Sequence, residues 1–373
     1  MNAMTAIQLT EKEMLRAMRE RDTSYDGVFF TCVKTTGIFC RPSCSARKPL
    51  ERNVEFKTSV QECLLAGYRP CLRCRPLAAG RDAPEWLDRV LKRIESAPNE
   101  RITDADLAAI DVSPHAARRY FKRRFGLSFQ AYHRARRMGL ALQHIQSGGS
   151  DAEAACDHGY ESLSGFREAF QKTFGATPVK SRELTRVLTR TIDSPIGPLV
   201  ACATDDAVCL LDFADRRGLQ RQIQTLNKRL HAAIAPGVND VLRRLETEIL
   251  EYFACERSTF TVPLHRPGTP FQTRVWNKLA AIPYGRTQSY EQVAESIGQP
   301  RAQRAVGRAC GDNPIAIVVP CHRVVRRDGS LSGYGGGLWR KQFLLELERK
   351  SDVLFTQRRS DQPAGLLATR RKA

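Results

Sequence analysis

The string Pro320-Cys321-His322-Arg323-Val324 places one thiol directly after the apolar run Ile315-Ala316-Ile317-Val318-Val319 and eight positions past Asn313. A proline ahead of the cysteine fixes φ and removes a backbone donor, and the adjacent imidazole is a base that a carboxylate elsewhere can orient. Read from these neighbours, Cys321 is a nucleophile at the mouth of a buried strand, poised to form a covalent bond through sulfur. The competing reading is a structural cysteine that happens to precede a histidine.

A second group of thiols lies near the start of the chain. Cys40 and Cys44 have three residues between them, and Cys71 and Cys74 have two. Two close pairs of thiolates suit a tetrahedral Zn2+ site, because each short loop aims two sulfurs at one ion. Cys32 and Cys63 lack that pairing and read as core thiols. Arg41, Arg47, Lys48, Arg52, Arg69, Arg73 and Arg75 surround the quartet, a positive field that attracts a phosphate backbone. Zinc with four thiolates has a formal charge of about −2, which makes a ligand sulfur nucleophilic. Spacing points to the metal and leaves open which of the four sulfurs reacts.

Both sites need scaffolds, and 373 residues at 41.9 kDa exceed one ordinary core. Against 40 Asp and Glu stand 59 Lys and Arg, for a net charge of +19. A polyanion is the natural partner, and nucleic acid leads. No apolar stretch approaches the roughly 20 residues that span a bilayer, and Met1 to Arg21 contains no apolar signal segment. The expected compartment is therefore the cytoplasm, with no membrane partner. Twelve cysteines in a reducing compartment indicate metal binding or reactive thiols over a disulfide framework.

Beyond a linker from Pro76 to Pro84, the text turns helical. Thr103-Asp104-Ala105-Asp106 caps one helix, a turn at Asp111-Val112 follows, and Ser113-Pro114 opens the next. That second helix puts Ala117, Phe121 and Phe125 on one face and His115, Arg118, Arg119, Lys122 and Arg123 on the other. Eight Lys or Arg and no acid occur from Ser113 to Ala141. A solvated basic face explains such a run equally well in isolation, but the capped helix and tight turn before it predict a helix-turn-helix. A second such unit follows: Ala152 to Asp157, a turn at Gly159-Tyr160, and a reading helix from Ser162 to Phe174. In it Leu163, Phe166 and Phe170 face inward, while Ser164, Arg167, Gln171 and Lys172 face a groove.

From Val187 the pattern becomes strand-like, with runs at Val187 to Ile192, Leu199 to Ala203 and Val208 to Phe213. Leu242 to Phe253 reads as a helix. Phe271, Val275, Leu279 and Ile282 mark an amphipathic helix, and two short helices follow, one at Tyr290 and one from Arg301 to Cys310. Ser351 to Ala373 has five Lys or Arg and little periodicity, so a disordered basic tail is expected.

Three resemblances organise these pieces. Thr35-Thr36-Gly37-Ile38-Phe39-Cys40-Arg41-Pro42-Ser43-Cys44, with Gly67-Tyr68-Arg69-Pro70-Cys71-Leu72-Arg73-Cys74, resembles the metal-binding domain of the Ada family of DNA-repair regulators. That resemblance implies that Cys40 takes a methyl group from a methylphosphotriester while ligating zinc. Losing that negative charge then strengthens DNA binding, with Arg41 and Arg73 as DNA contacts. Gly159 to Phe170 and Phe174-Gly175-Ala176-Thr177-Pro178 resemble the AraC family of activators. Two helix-turn-helix units joined by a long helix over Phe129 to Ile145 are implied, with promoter DNA and RNA polymerase as partners.

From Thr269 to Lys350 the chain resembles the O6-alkylguanine-DNA alkyltransferases, whose hallmark is the Pro-Cys-His-Arg-Val string. The resemblance makes Cys321 the alkyl acceptor, His322 a base acting through water, Glu348 its orienting carboxylate and Asn313 the brace of the turn. Tyr290 approaches the target nucleotide, Arg304 replaces the extruded base, and Val324, Tyr334 and Gly335 line the guanine pocket. Alternatives stay open from the residues alone: a phosphate contact for Arg304, a core role for Tyr290, and a solvated surface role for Glu348. The implied fold is multidomain α+β. It comprises a zinc-bound α/β domain (1–80), an all-α double helix-turn-helix domain (84–186), an α/β ribonuclease-H-like subdomain (187–266), a helical winged-helix-like alkyltransferase domain (267–350) and the tail (351–373).

The implied activity is irreversible, single-turnover transfer of methyl from double-stranded DNA to Cys321 and Cys40. A thioether has no thiol route back, and methylation at Cys40 switches on transcription of an adaptive response. Two rival classes are a zinc-containing regulator that binds damaged DNA without transfer, and a cysteine hydrolase. The thiol at Cys321 argues against the first, and the lack of a separate base-orienting pattern beyond Glu348 against the second.

Overall fold

The computed structural model describes residues 9–58, 62, 63, 66–71, 73, 74, 76, 84–125 and 127–360, without the side chains at 70, 123–125 and 352–360. The linker core at Ala78-Ala79-Gly80, Arg75 and the Arg123 side chain thus lie outside the described residues. The chain divides into two compact units. One runs to Thr247 and includes Val262–Pro267; the other holds Glu248–Thr261 and the chain from Gly268 onward.

The first unit begins with helix α1 (Glu11–Glu20), closed at its start by a Thr10/Glu13 capping box. Strands β1 (Phe30–Val33), β2 (Ile38–Cys40), β3 (Val54–Lys57) and β4 (Arg69–Pro70) form a small sheet in the order β3-β1-β2-β4. β1 is antiparallel to both neighbours, whereas β4 runs parallel to β2. Phe30, Cys32, Phe39 and Cys63 bury one face of it, and the Cys32 and Cys63 sulfurs sit 3.5 Å apart there.

Helix α2 (Trp86–Ser96) packs Leu87, Val90 and Ile94 onto the first helix-turn-helix, α3 (Asp104–Ala109) and α4 (Pro114–Phe125). The turn between them needs a left-handed residue, and Asp111 supplies it at φ 55°. The connecting helix α5 (Phe129–Gln146) leads to the second helix-turn-helix, α6 (Asp151–Asp157) and α7 (Leu163–Phe174). Gly159 turns that pair at φ 71°, and Phe166 and Phe170 are fully buried beneath it.

A second sheet follows: β5 (Thr185–Ile192), β6 (Leu199–Ala203), β7 (Val208–Phe213) and β8 (Ala232–Pro236), in the order β7-β6-β5-β8. Three strands form an antiparallel meander, and helix α8 (Leu219–Leu230) is the crossover that lets β8 run parallel to β5. α8 and β8 were not signalled by the strand-like text alone. Helix α5 lies against β8 so closely that a Cβ on Gly139 would stand 2.6 Å from the Ala235 Cβ. Ala233 accordingly joins the core of the second helix-turn-helix with Met138, Leu142 and Ile145.

Helix α9 (Asp240–Phe253) carries the chain onward. The second unit then holds α10 (Pro270–Ala280), α11 (Tyr290–Ser296), α12 (Gln303–Gly311) and α13 (Leu338–Ser360), with β9 (Gln288–Ser289) parallel to β10 (Val324–Val325). Capping boxes at Thr269/Gln272 and Ser289/Gln292 start α10 and α11. Helix α13 continues through Ser360, so residues 351–360 of the expected tail are helical. At the start of this stretch Ser351 is buried, donating to the Leu347 carbonyl and lying 2.6 Å from the Tyr284 hydroxyl. Residues 361–373 lie outside the described residues.

Candidate acceptor sites

The apolar run before Cys321 is not the strand its composition suggests. Residues Ile315 to Val319 form buried turns, in which Val318 N donates to Ala316 O and Val319 N to Ile315 O. Ile317 occupies φ 71°, a region costly for a β-branched residue. Asn313 holds this shape. Its Oδ1 accepts from Ile315 N at 3.1 Å, and its Nδ2 donates to Val319 O at 2.8 Å and to the Cys321 Sγ at 3.2 Å. An amide proton aimed at sulfur favours the thiolate over the thiol.

Cys321 begins a single 3-10 turn, Cys321–Arg323, which buries His322 completely. His322 Nε2 lies 2.8 Å from Glu348 Oε1. That same carboxylate receives Arg323 through Nε at 2.8 Å and Nη2 at 2.9 Å, the Tyr252 hydroxyl at 2.8 Å and the Gly285 amide at 3.2 Å. Burial opposes charge on Glu348, but His322 and Arg323 outweigh it and hold the carboxyl well below the usual range. An ionised carboxylate only accepts, so Nε2 bears the proton and Nδ1 presents its lone pair. Among the described residues Nδ1 has no hydrogen-bond partner. Burial lowers the imidazole pKa against the pull of Glu348, keeping His322 a neutral base. Glu346 is engaged elsewhere, accepting from Gln342 at 2.9 Å.

Beside Cys321 opens a cavity of about 560 Å³ lined by Tyr290, Arg304, Tyr334 and Gly335 among others. Ser332 donates to the Tyr290 hydroxyl at 3.2 Å. Arg304 is exposed on α12, whereas Val324 is fully buried and is not among the residues that line this cavity. Lys341 is also fully buried; its Nζ donates to the carbonyls of Val324 and Ser332 and ties the two walls together. Sequence reasoning missed Lys341, Tyr252 and the role of Arg323. Only Arg323 carried a signal, through its place in the quoted string.

In the first unit, β2 ends on Cys40, and β4 runs alongside so that Cys71 N donates to Phe39 O at 3.0 Å. The loop from Arg41 to Cys44 is fastened by Asp26, which accepts from the Ser43 amide and hydroxyl. The sulfurs of Cys40, Cys44, Cys71 and Cys74 all lie within 4.8 Å of one another, with Cys44 and Cys71 at 4.0 Å. Four sulfurs at about 2.3 Å from a tetrahedral zinc stand roughly 3.8 Å apart, so the donor set fits that ion. Burial and the neighbouring sulfurs push Cys40 up when no cation balances them. The Arg41 amide donates to Cys74 Sγ at 3.4 Å. A cavity of about 580 Å³ adjoins Cys40, with Arg41, Arg47 and Lys48 on its walls. Arg73 is exposed, and its Nη1 donates to Ser45 O at 3.4 Å.

The helix-turn-helix residues Arg118, Arg119 and Lys122 are exposed on α4, as are Ser164, Arg167 and Gln171 on α7.

Residues 13–76 match the family described as the metal binding domain of Ada, 107–183 a helix-turn-helix domain, and 270–350 the DNA binding domain of 6-O-methylguanine DNA methyltransferase. The chain is 33% identical over 349 residues to the bifunctional transcriptional activator/DNA repair enzyme Ada of Escherichia coli, covering 92% of this chain and 98% of that protein. It is 47% identical over 160 residues to the methylated-DNA–protein-cysteine methyltransferase of Mycobacterium tuberculosis, covering 43% of this chain and 91% of the relative. A crystal structure of the Mycobacterium tuberculosis O6-methylguanine methyltransferase shares 44% identity, covers 45% of this chain and 99% of its own, and has a TM-score of 0.39.

Proposed function

The chain belongs to the Ada family of bifunctional transcriptional activators and DNA repair enzymes, and from that membership we propose two irreversible methyl transfers from DNA, one to Cys321 and one to Cys40. The observation that carries the first is the chain of contacts from Asn313 to Cys321 and from His322 to Glu348.

In the first transfer the Cys321 proton passes through a water to His322 Nδ1, and the sulfur attacks the methyl carbon of O6-methylguanine in line. The S–C bond forms as the C–O6 bond breaks with its electron pair going to the guanine, which takes up one proton, balancing the one lost by Cys321 to His322. A base stacked in a duplex hides O6, so the nucleotide must leave the stack. Arg304, long and exposed at the cavity rim, fills the gap, and Tyr290 guides the phosphate and sugar into the cavity. Tyr334, Gly335 and Val324 shape the guanine seat, and Lys341 holds its walls.

In the second transfer, bound zinc keeps four thiolates ionised with a net charge of about −2. Cys40 accepts the methyl of a methylphosphotriester, the phosphate oxygen taking the electrons of the broken C–O bond. Thiolate becomes neutral thioether, so this basic surface loses one negative charge and binds phosphate more tightly. Arg41 and Arg73 contact the backbone, while α4 and α7 read promoter DNA through Arg118, Arg119, Lys122, Arg123, Ser164, Arg167 and Gln171. RNA polymerase is the partner of this activator role and the cytoplasm its compartment. The segments 1–80, 84–186, 187–266 and 267–350 divide these tasks.

The test is peptide mapping after incubation with DNA whose methyl groups are isotopically labelled. One label per chain is expected at Cys321 and one at Cys40, with no turnover beyond that. Cys321→Ala abolishes guanine repair and leaves phosphotriester repair intact; loss of both, or label on other residues, refutes the assignment.

A further inference from the structure

The two helix-turn-helix units repeat one polar contact. In each, the residue after the N-cap of the first helix is an aspartate, Asp104 after Thr103 and Asp151 after Ser150. In each, the fifth residue of the reading helix is an arginine, Arg118 in α4 and Arg167 in α7. The structure joins them. Arg118 Nη2 stands 3.5 Å from Asp104 Oδ2, and Arg167 reaches Asp151 Oδ2 through both Nε and Nη2 at 2.7 Å. Gln130 of α5 adds a donor to Asp104 at 3.3 Å.

We propose that Asp104 and Asp151 are specificity-determining residues that orient Arg118 and Arg167 for base contacts in successive major grooves. This rests on the reading that α4 and α7 bind DNA by sequence.

Physical reasoning favours orientation over stability. Pairs this exposed contribute little to folding. A free arginine on a helix face samples many rotamers and settles on phosphate, which conveys no sequence. Arg167, held by Asp151 through Nε and Nη2, keeps its guanidinium plane fixed, and its outward N–H groups can then meet O6 and N7 of guanine in a fork; Arg118 is held more loosely, through Nη2 alone. The acid also repels phosphate, so the arginine it holds is steered from the backbone toward base edges. Each aspartate lies at the start of its helix, where the helix dipole stabilises the charge. The neighbouring exposed positions also correspond: His115 and Lys122 flank Arg118 at the same offsets as Ser164 and Gln171 flank Arg167. The two units thus present one arrangement with different flanking side chains, which suits two different half-sites on one DNA molecule.

The experiment uses the full chain after exposure to duplex DNA bearing methylphosphotriesters, then selects binders from a duplex pool with a random core two helical turns long. The expected result is that Asp151→Asn loses discrimination roughly tenfold at the bases under α7 and keeps it under α4. Asp104→Asn does the reverse, and affinity for scrambled duplex rises in both. In an Arg167→Ala background, Asp151→Asn changes nothing further. The proposal is overturned if Asp151→Asn selects the same sequence with the same strength, or if its effect persists without Arg167. A parent chain that selects no sequence at all refutes sequence-specific binding, and this proposal with it. Urea melts of each variant separate unfolding from lost discrimination, since an effect that tracks lost stability also overturns it.

Discussion

Tyr252 and His322 meet on one atom, each 2.8 Å from Glu348 Oε1. The phenol lies on α9 and the imidazole on the turn after Pro320, so a helix distant in sequence helps fix the carboxylate that aligns the base. Tyr252→Phe removes one donor and preserves packing. A lost hydrogen bond of about 1.4 kcal/mol in aligning Glu348 slows transfer to Cys321 roughly tenfold. Single-turnover repair of an O6-methylguanine duplex measures this; an unchanged rate would show that Arg323, His322 and the Gly285 amide suffice to hold Glu348.

Acid acts on the same cluster through two groups. Burial lowers the His322 pKa from its ordinary 6.5, so below that value the unfolded chain takes up the proton first and stability falls. Glu348 is held below its ordinary 4.5, so its contribution is fully present above that value and is lost as pH drops toward the folded pKa. The second unit therefore loses stability in two stages on acidification. Denaturation followed by Trp276 and Trp339 fluorescence, with Trp86→Phe as background, reads that unit; Glu348→Gln should remove the lower stage.

Local signals account for most of what the sequence revealed. Thr103 with Asp106 was read as a cap and starts a helix, and the structure adds the same local device at Ser150 with Glu153 and Thr269 with Gln272. The cysteine quartet was legible because each of its two loops is short. The run Ile315 to Val319 misled because apolar β-branched composition is shared by strands and by buried turns. What distinguishes them is the Asn313 amide, which satisfies carbonyls that a strand would pair with a neighbour. Tyr252 and Lys341 left no trace, since each meets its partners only after the chain has folded across long separations.

Asn313 spans that turn with bonds on both sides of its amide. Asn313→Ala strips three buried groups of their partner and is expected to cost about 3 kcal/mol, with loss of guanine repair. Asn313→Asp is the finer probe. It keeps the acceptor for Ile315 N and replaces the donor facing Cys321 with an oxygen, so transfer falls sharply through repulsion of the thiolate. Repair assays paired with fluorescence melts separate the two substitutions.

Lys341 is a buried cation whose Nζ donates to the Val324 and Ser332 carbonyls. Burial lowers its pKa, while the nearby Cys321 and Cys310 sulfurs raise it. Lys341→Met keeps the volume and leaves both carbonyls without that donor, at about 2 kcal/mol. The expected outcome is weakened binding of O6-methylguanine DNA with zinc-site transfer untouched, measured by the concentration dependence of single-turnover repair.

Metal removal tests the independence of the two acceptors. The quartet's sulfurs lie within 4.8 Å of one another, a separation that four thiolates sustain only around a cation. Stripping zinc with a chelator protonates or oxidises them, and Cys40 loses the ionised state that the proposed transfer from phosphotriester methyl requires. Cys321 draws on Asn313, His322 and Glu348, none of them a ligand. Phosphotriester transfer should therefore vanish and return on adding Zn2+, while guanine transfer persists throughout. Electrospray mass under native conditions follows the metal, and labelled DNA of each lesion type follows the two reactions. Guanine transfer that disappears with the metal would mean that the acceptors share a structural dependence.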